Sequence, residues 1–180
     1  YLELAGGAGT AGIARAVAGR LTTLAGQPLA GETVEVQRVE PGGASTTIAT
    51  ATTAADGSFT AAVTLTEDAL IRALHGAAPA VVSPLVAVAV GRAVTLTVVS
   101  IAPLAVAGTI NPPNVRTVTV EVYLAGTRQV VQSHKVRVVR GAYTVTLPTP
   151  APGNYEVYAH VRATASNAAG ATGLVPVTIS

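Results

Sequence analysis

The chain has 180 residues, half of them apolar (49%) but only 3% aromatic and 11% charged, so a core must be assembled from Val, Ala, Leu and Ile rather than from large rings. Eleven Lys and Arg against nine Asp and Glu leave a net charge of +2, with the cations spread thinly along the chain, which argues against a nucleic-acid partner. With no Cys there are no disulfides, thiolate metal sites or thiol chemistry, and the compartment is left open by cysteine usage.

Residues 1–14 read as an arm or linker, because Gly6-Gly7-Ala8-Gly9 follows no convincing strand and precedes no helix, which also denies it a phosphate-loop reading. From residue 15 onward the dominant period is two. Phe59, Ala61, Val63 and Leu65 alternate with polar neighbours, and so do Val118, Val120, Val122 and Leu124. The same alternation recurs in Tyr143, Val145, Leu147, in Tyr155, Val157, Ala159, Val161, and in Val175, Val177, Ile179, each run bounded by Gly, Pro or Asn. These are expected strands of antiparallel sheets. One short helix is expected over Thr66 to Leu74, with Thr66 as cap and Glu67 and Asp68 in its first turn. The apolar stretch from Ala77 to Val90 is broken by Pro79, Ser83 and Pro84, so no membrane span is expected. The chain starts at Tyr1 and contains no Met, as a processed form or a fragment of a longer protein would.

Internal repetition organises these runs. Ala16-Val17-Ala18-Gly19 returns as Ala105-Val106-Ala107-Gly108, an offset of 105 − 16 = 89. Val34-Glu35-Val36 returns as Val120-Glu121-Val122 at 86, Gly57-Ser58-Phe59 as Gly141-Ala142-Tyr143 at 84, and Leu85-Val86 as Leu174-Val175 at 89. The order is kept while the offsets drift as loop insertions make them drift. Two units of roughly 85 to 90 residues with about seven short strands each fit a β-sandwich pattern. The expected organisation is an all-β chain of two tandem immunoglobulin-like antiparallel β-sandwiches, residues 15–91 and 92–180, the second opening on a strand from Ala93 to Ser100. The short link at Gly91 and Arg92 implies a semi-rigid rod.

Two motifs carry a resemblance. Gly153-Asn154-Tyr155-Glu156-Val157, with Pro152 ahead of it, resembles the tyrosine corner at the start of strand F in immunoglobulin-like domains, Val157 standing where antibody domains have Cys. The resemblance implies a structural role for Tyr155, its ring under the corner and its hydroxyl on a nearby carbonyl. In the first domain Gly26-Gln27-Pro28-Leu29-Ala30-Gly31, the Val34 and Val36 strand and Ala55-Asp56-Gly57-Ser58-Phe59 resemble bacterial Ig-like modules related to the carboxypeptidase regulatory-like and collagen-adhesin B families. Asp56 and Gly57 would make the tight turn and Phe59 the first inward ring. Surface proteins are the usual setting of such modules. Some collagen-adhesin B domains carry a Lys-to-Asn or Lys-to-Asp isopeptide staple, but Lys135 is the single Lys, so the first domain lacks a donor.

The chemistry-bearing residues do not assemble into a catalytic set. His75, His134 and His160 have no partner at metal-binding spacing, so no metal or other cofactor is expected. Glu35, Glu121 and Glu156 alternate with apolar neighbours and should face water rather than converge as a glycosidase pair; Glu67 and Asp68 form at most a weak calcium pair. Ser58 and Ser133 lack a nucleophile-elbow context. Arg137, Arg140 and Arg162 with Tyr123 and Tyr158 are candidates for a basic and aromatic patch on the second domain. The expected function is a non-enzymatic extracellular or cell-surface module, structural or adhesive: a stalk, a spacer, or a filament subunit whose residues 1–14 lend a strand to a neighbour. Thr46-Thr47 and Thr52-Thr53 are candidate acceptors of O-linked sugars. The expected partners are other copies of the chain or cell-surface protein or glycan. The alternative is an accessory glycan- or cell-wall-binding module of a secreted enzyme, disfavoured by one Phe, five Tyr and no Trp.

Overall fold

A computed structural model describes residues 1–76 and 80–180, so the 77–79 part of the interrupted apolar stretch lies outside the described residues. Strands and turns make up the described chain, with no helix among them. The chain divides into two compact units, Tyr1–Val90 and Gly91–Ser180.

The strands of the first unit are β1 (Leu2–Ala5), β2 (Gly9–Thr10), β3 (Ala14–Leu21), β4 (Thr33–Val39), β5 (Ser45–Thr52), β6 (Ser58–Thr64), β7 (Ala69–His75), β8 (Val81–Val82) and β9 (Val86–Val88). β10 (Val90–Gly91), which pairs with β2, starts at the last residue of this unit. One antiparallel sheet runs β1-β3-β6; the other runs β5-β4-β7, with β8 and β9 both on β7. The two sheets turn their apolar sides to each other. Val17 from β3, Ala61 and Val63 from β6, Val36 from β4 and Ile71 from β7 share one buried cluster, and Leu2, Leu21, Val34, Phe59 and Ala73 form a second. Small branched side chains fit this pleated, half-buried geometry, and alternation along β6, where Phe59, Ala61 and Val63 are buried and Thr60, Ala62 and Thr64 exposed, fixes its register.

The second unit contains β11 (Ala93–Val94), β12 (Thr97–Ile101), β13 (Leu104–Asn111), β14 (Thr117–Leu124), β15 (Val130–Arg137), β16 (Ala142–Leu147), β17 (Gly153–Val161), β18 (Gly170–Ala171) and β19 (Val175–Ile179). β11, β12 and β16 pair with β13, while the other sheet runs β15-β14-β17 with β18 and β19 on β17. Its single core includes Leu104, Val106, Val120, Val122, Tyr143 and Val157. Both units are all-β and antiparallel, consistent with β-sandwiches.

The repeat is visible in the pairing. Gly19 stands opposite Phe59 between β3 and β6, and Gly108 stands opposite Tyr143 between β13 and β16. Each aromatic ring lies across its glycine: a Cβ on Gly19 would run into the Phe59 ring and the Glu3 carbonyl, and one on Gly108 into the Tyr143 phenol and the Thr95 carbonyl. A β-bulge interrupts the β4–β5 ladder between Val36 and Gln37 and the β14–β15 ladder between Val122 and Tyr123, again 86 residues apart. The last repeated pair is shifted: Val86 faces Ile71 and Val177 faces Tyr155, so Val86 corresponds to Val177 rather than to Val175.

Three expectations are corrected. Residues 1–14 are not an arm. β1 pairs with β3, Leu2 opposite Leu21 and Ala5 opposite Ala18, as Val94 faces Ile110 and Thr97 faces Ala107 in the second unit, a constant offset of 92. Leu2 is 1% exposed, so the segment is the first unit's opening strand, and its Gly-rich portion obscured the two-residue period. The Thr66–Leu74 helix is instead β7, because Ile71 and Ala73 are buried while Leu70, Arg72 and Leu74 are not. Its supposed first turn is spent elsewhere: Asp68 Oδ1 accepts a bond from the Val90 amide (2.7 Å) and Glu67 pairs with Arg38 (2.7 Å). The expected strand Ala93–Ser100 is broken into β11 and β12 at Thr95, whose carbonyl accepts from the Tyr143 hydroxyl (2.7 Å) and whose Oγ1 accepts from the Thr109 amide (2.8 Å).

Candidate functional site

The residues singled out from sequence as structural sit as follows. Asp56 Oδ1 accepts from the Ser58 amide (3.0 Å) and hydroxyl (2.6 Å), and these bonds hold its carboxyl below the usual range. Gly57 takes φ 79° in that turn. Phe59 is 4% exposed across Gly19. Tyr155 is buried beside Val157, and its hydroxyl donates to the Ala151 carbonyl four residues upstream (2.8 Å).

The polar side chains gather on the outer face of β15-β14-β17. Since Val118, Val120, Val122, Val157, Ala159 and Val161 point to the core, the intervening Thr119, Glu121, Tyr123, Glu156, Tyr158 and His160 must point away from it. Register then sets neighbours: Glu121 lies between Ser133 and Tyr158, and Thr119 between Lys135 and His160. The Tyr123 hydroxyl donates to Glu121 Oε2 (2.6 Å), and that bond to a carboxylate pushes the phenol up to about 12. Ser133 reaches Glu121 Oε1 (3.4 Å), and His160 Nε2 lies 3.8 Å from the same oxygen. The Tyr158 ring stacks on His160 (centroids 5.5 Å, planes at 26°) and meets Tyr123 edge-on (6.3 Å, 77°). The result is a strip of three rings along one face.

His160 also borders a cleft of about 380 Å³ at the end of this sheet, with Asn114, Arg116, Lys135, Arg162 and Thr164 around it. Its wall is held from beneath by Arg92, 2% exposed. Nε and Nη2 of Arg92 donate to Asn114 Oδ1 (3.1 and 3.0 Å), Nη2 also to Thr164 Oγ1 (2.6 Å), and Nη1 to the carbonyls of Arg162, Asn167 and Ala168 (3.2, 3.4 and 3.3 Å). Asn114 Nδ2 donates in turn to Oδ1 of the fully buried Asn167 (3.1 Å). A rigid, planar set of five donors suits this task, and it fixes the loop that carries Arg162 and Thr164.

The first unit repeats the scaffold but not the surface. Glu35, Gln37 and Thr47 stand 86 residues before Glu121, Tyr123 and Ser133. Thr47 and Gln37 donate to Glu35 (2.7 and 3.2 Å), holding its carboxyl below the usual range, and Arg72 donates to Gln37 Oε1 (3.1 Å). No ring strip accompanies this triad among the described residues.

Of the expected basic and aromatic patch, Tyr123 and Tyr158 come together and Arg162 borders the cleft. Arg137 lies opposite Thr117 at the strand end, whereas Arg140 is in the turn after β15 with φ 52°. Arg116, Lys135 and His160 were not grouped with it in the sequence; Lys135 and His160 share the outward phase of their strands, but Arg116 precedes β14 and carries no such signal. His75 bonds the Thr33 carbonyl (2.9 Å), and His134 lies opposite Val120. Among the described residues no group of three or more His, Asp or Glu stands close enough to hold a metal ion, and no helix is long and apolar enough to cross a membrane.

The cations are also unevenly divided. The first unit has four Lys and Arg against seven Asp and Glu, a charge of 4 − 7 = −3; the second has seven against two, 7 − 2 = +5. The expectation of thinly spread cations is therefore replaced by two units of opposite sign.

No family model matches the chain, and no curated protein matches it. Among solved structures it is similar to the tetra-tandem repeat in the extending region of a large adhesion protein, with 16% identity and a TM-score of 0.37 over 97% of this chain and 48% of that one. It is also similar to a DUF4785 family protein from Legionella pneumophila subsp. pneumophila strain Philadelphia 1, with 14% identity and a TM-score of 0.48 over 85% of this chain and 48% of that one. The chain spans about half the length of each of these two.

Proposed function

We propose that the chain is a non-enzymatic module of an extracellular or cell-surface protein, with a structural and adhesive purpose. One observation carries the reading: the same unit is built twice, with its buried half kept in register and its outer face rewritten. Gly19 with Phe59 and Gly108 with Tyr143 preserve the packing, while Glu35-Gln37-Arg72 on one face gives way to Glu121-Tyr123-Glu156 on the other. Duplication of this kind extends a chain by self-contained cores and frees each sheet surface to acquire its own contacts. Immunoglobulin-like sandwiches are the fold family this reading adopts for the two units.

The test is an in-frame deletion of residues 1–180 from the parent gene, followed by measurement of cell attachment and of the parent protein's surface display. Loss of attachment or display with any enzymatic output of the parent unchanged supports the reading; a deletion that abolishes turnover of a substrate while leaving attachment intact overturns it. A second reading, an accessory glycan-binding module of a secreted enzyme, is favoured by the Tyr123, Tyr158 and His160 strip. It is separated from the first by the same deletion, which would then lower activity on an insoluble polysaccharide but not on a soluble fragment of it.

A further inference from the structure

We infer that the cleft bordered by Arg116, Lys135, His160 and Arg162 binds an acidic saccharide, a sugar chain bearing carboxylates of the uronic-acid type, with one sugar ring against Tyr158. The inference deepens the adhesive reading and rests on it only for where the ligand is met.

Four basic side chains from three separate places converge here: Arg116 just before β14, Lys135 on β15, and His160 and Arg162 at the end of β17. No Asp or Glu borders the cleft among the described residues; Glu121 stands 3.8 Å from His160 on the strip side. The charges of Arg116, Lys135 and Arg162, gathered in a concave site, repel one another in the free protein, and an anion relieves that repulsion while satisfying their donors. The unit's charge of +5 extends the same field beyond the cleft. Arg116 and Arg162 present planar forks matched to carboxylates, and Lys135 supplies a point charge.

The sugar part of the assignment comes from the neutral groups. Thr117 and Thr119 border the cleft with their hydroxyls, and the Thr164 hydroxyl, whose oxygen accepts from Arg92, keeps its proton to donate; the Asn114 amide is spent on Arg92, Ser166 and Asn167 and shapes the wall only. Tyr158 does not itself border the cleft but stacks on His160, which does, so a sugar chain leaving the cleft past His160 passes beside the Tyr158 ring, where the apolar face of a pyranose can pack. An acidic peptide would use the cations and leave the ring surface without a matching shape; a second copy's acidic first unit would do the same. The wall is preformed, since Arg92 fixes Asn114 and the Arg162–Thr164 loop from below, so little ordering cost attends binding. A volume of about 380 Å³ is within the range of small-ligand sites.

The experiment is a calorimetric titration of the purified 180-residue chain with oligogalacturonate, with neutral cello-oligosaccharide and poly-glutamate as comparison probes, and light scattering on the free chain. Expected are saturable binding of oligogalacturonate, no binding of the neutral oligomer, and several-fold weakening between about 50 and 300 mM salt. Lys135→Gln and Arg162→Gln, both at exposed positions, should each weaken it about tenfold. Tyr158→Ala should weaken it roughly threefold to tenfold, while Tyr158→Phe, which keeps the ring, stays within about twofold of the parent. No saturable binding up to millimolar oligogalacturonate overturns the assignment. Equal binding of poly-glutamate with no effect of Tyr158→Ala overturns it in favour of an acidic peptide, and self-association abolished by Lys135→Gln overturns it in favour of a second copy. Because the titration uses purified protein, it fails or succeeds independently of where the chain resides, which the deletion and location experiments decide.

Discussion

Replacing Gly108 with Ala tests the packing that both units share. An added Cβ would meet the Tyr143 hydroxyl at 2.5 Å and its Cζ at 2.6 Å, as well as the Thr95 carbonyl oxygen, which is backbone and cannot rotate away. Relieving the clash means displacing a ring that is 3% exposed, at an overpacking cost of about 1–3 kcal/mol. Displacement also weakens the 2.7 Å bond from the Tyr143 hydroxyl to Thr95, worth about 1 kcal/mol. The sum, about 2–4 kcal/mol, lowers the melting temperature of a unit of this size by roughly 10–25 °C. Near-UV circular dichroism follows the second unit almost selectively, because Tyr123, Tyr143, Tyr155 and Tyr158 lie in it and only Tyr1 lies in the first. Gly173→Ala is the control, since nothing stands within 4 Å of its added Cβ. If Gly108→Ala melts together with Gly173→Ala, the ring does not lie across the glycine and the argument for a shared core is wrong.

Burial pushes the Tyr143 phenol up to about 12, against about 10 unfolded, so its contribution is complete below pH 10 and is lost as pH rises through 12. Tyr143→Phe should therefore remove up to about 2–3 kcal/mol of the alkaline destabilisation seen between those limits in urea titrations, and identical slopes for parent and variant would contradict this. Leu2→Ala should cost about 2–4 kcal/mol in the first unit's unfolding, because Leu2 is a core side chain of β1; a neutral result would restore residues 1–14 to the status of an arm. Arg92→Ala strips partners from Asn114, Thr164 and three carbonyls and should cost about 3 kcal/mol, with faster amide exchange in residues 162–168. Unchanged exchange there would show that the loop is held by something else.

Period-two runs such as Val118-Val120-Val122 and Tyr155-Val157-Ala159 were legible from sequence because one face of each strand is buried and the other wet, and the repeat was legible because packing constrains Gly19 and Gly108 to remain small. β1 was not legible: Leu2 and Leu4 are too few to establish a period before Gly6 and Gly7, and only pairing with β3 reveals them as strand. β7 was misread because Thr66, Glu67 and Asp68 imitate a helix start, whereas the Glu67 and Asp68 side chains serve partners 20 to 30 residues away, a nonlocal cause that a local pattern cannot display. The cleft was hidden for a similar reason. Arg116, Lys135 and Arg162 are far apart in sequence and meet only through the register of β14 with β15 and β17. The division of charge into −3 and +5 needed only the unit boundary at Val90, but a single net value of +2 conceals it.

The central claim, that the chain is a displayed structural and adhesive module, is tested most directly by its location. Intact cells of the source organism would be treated briefly with protease, and the released peptides identified by mass spectrometry alongside those of a lysed control. The account predicts that peptides of this chain are released from intact cells together with known surface proteins. Their appearance only after lysis, with cytosolic markers, would contradict it.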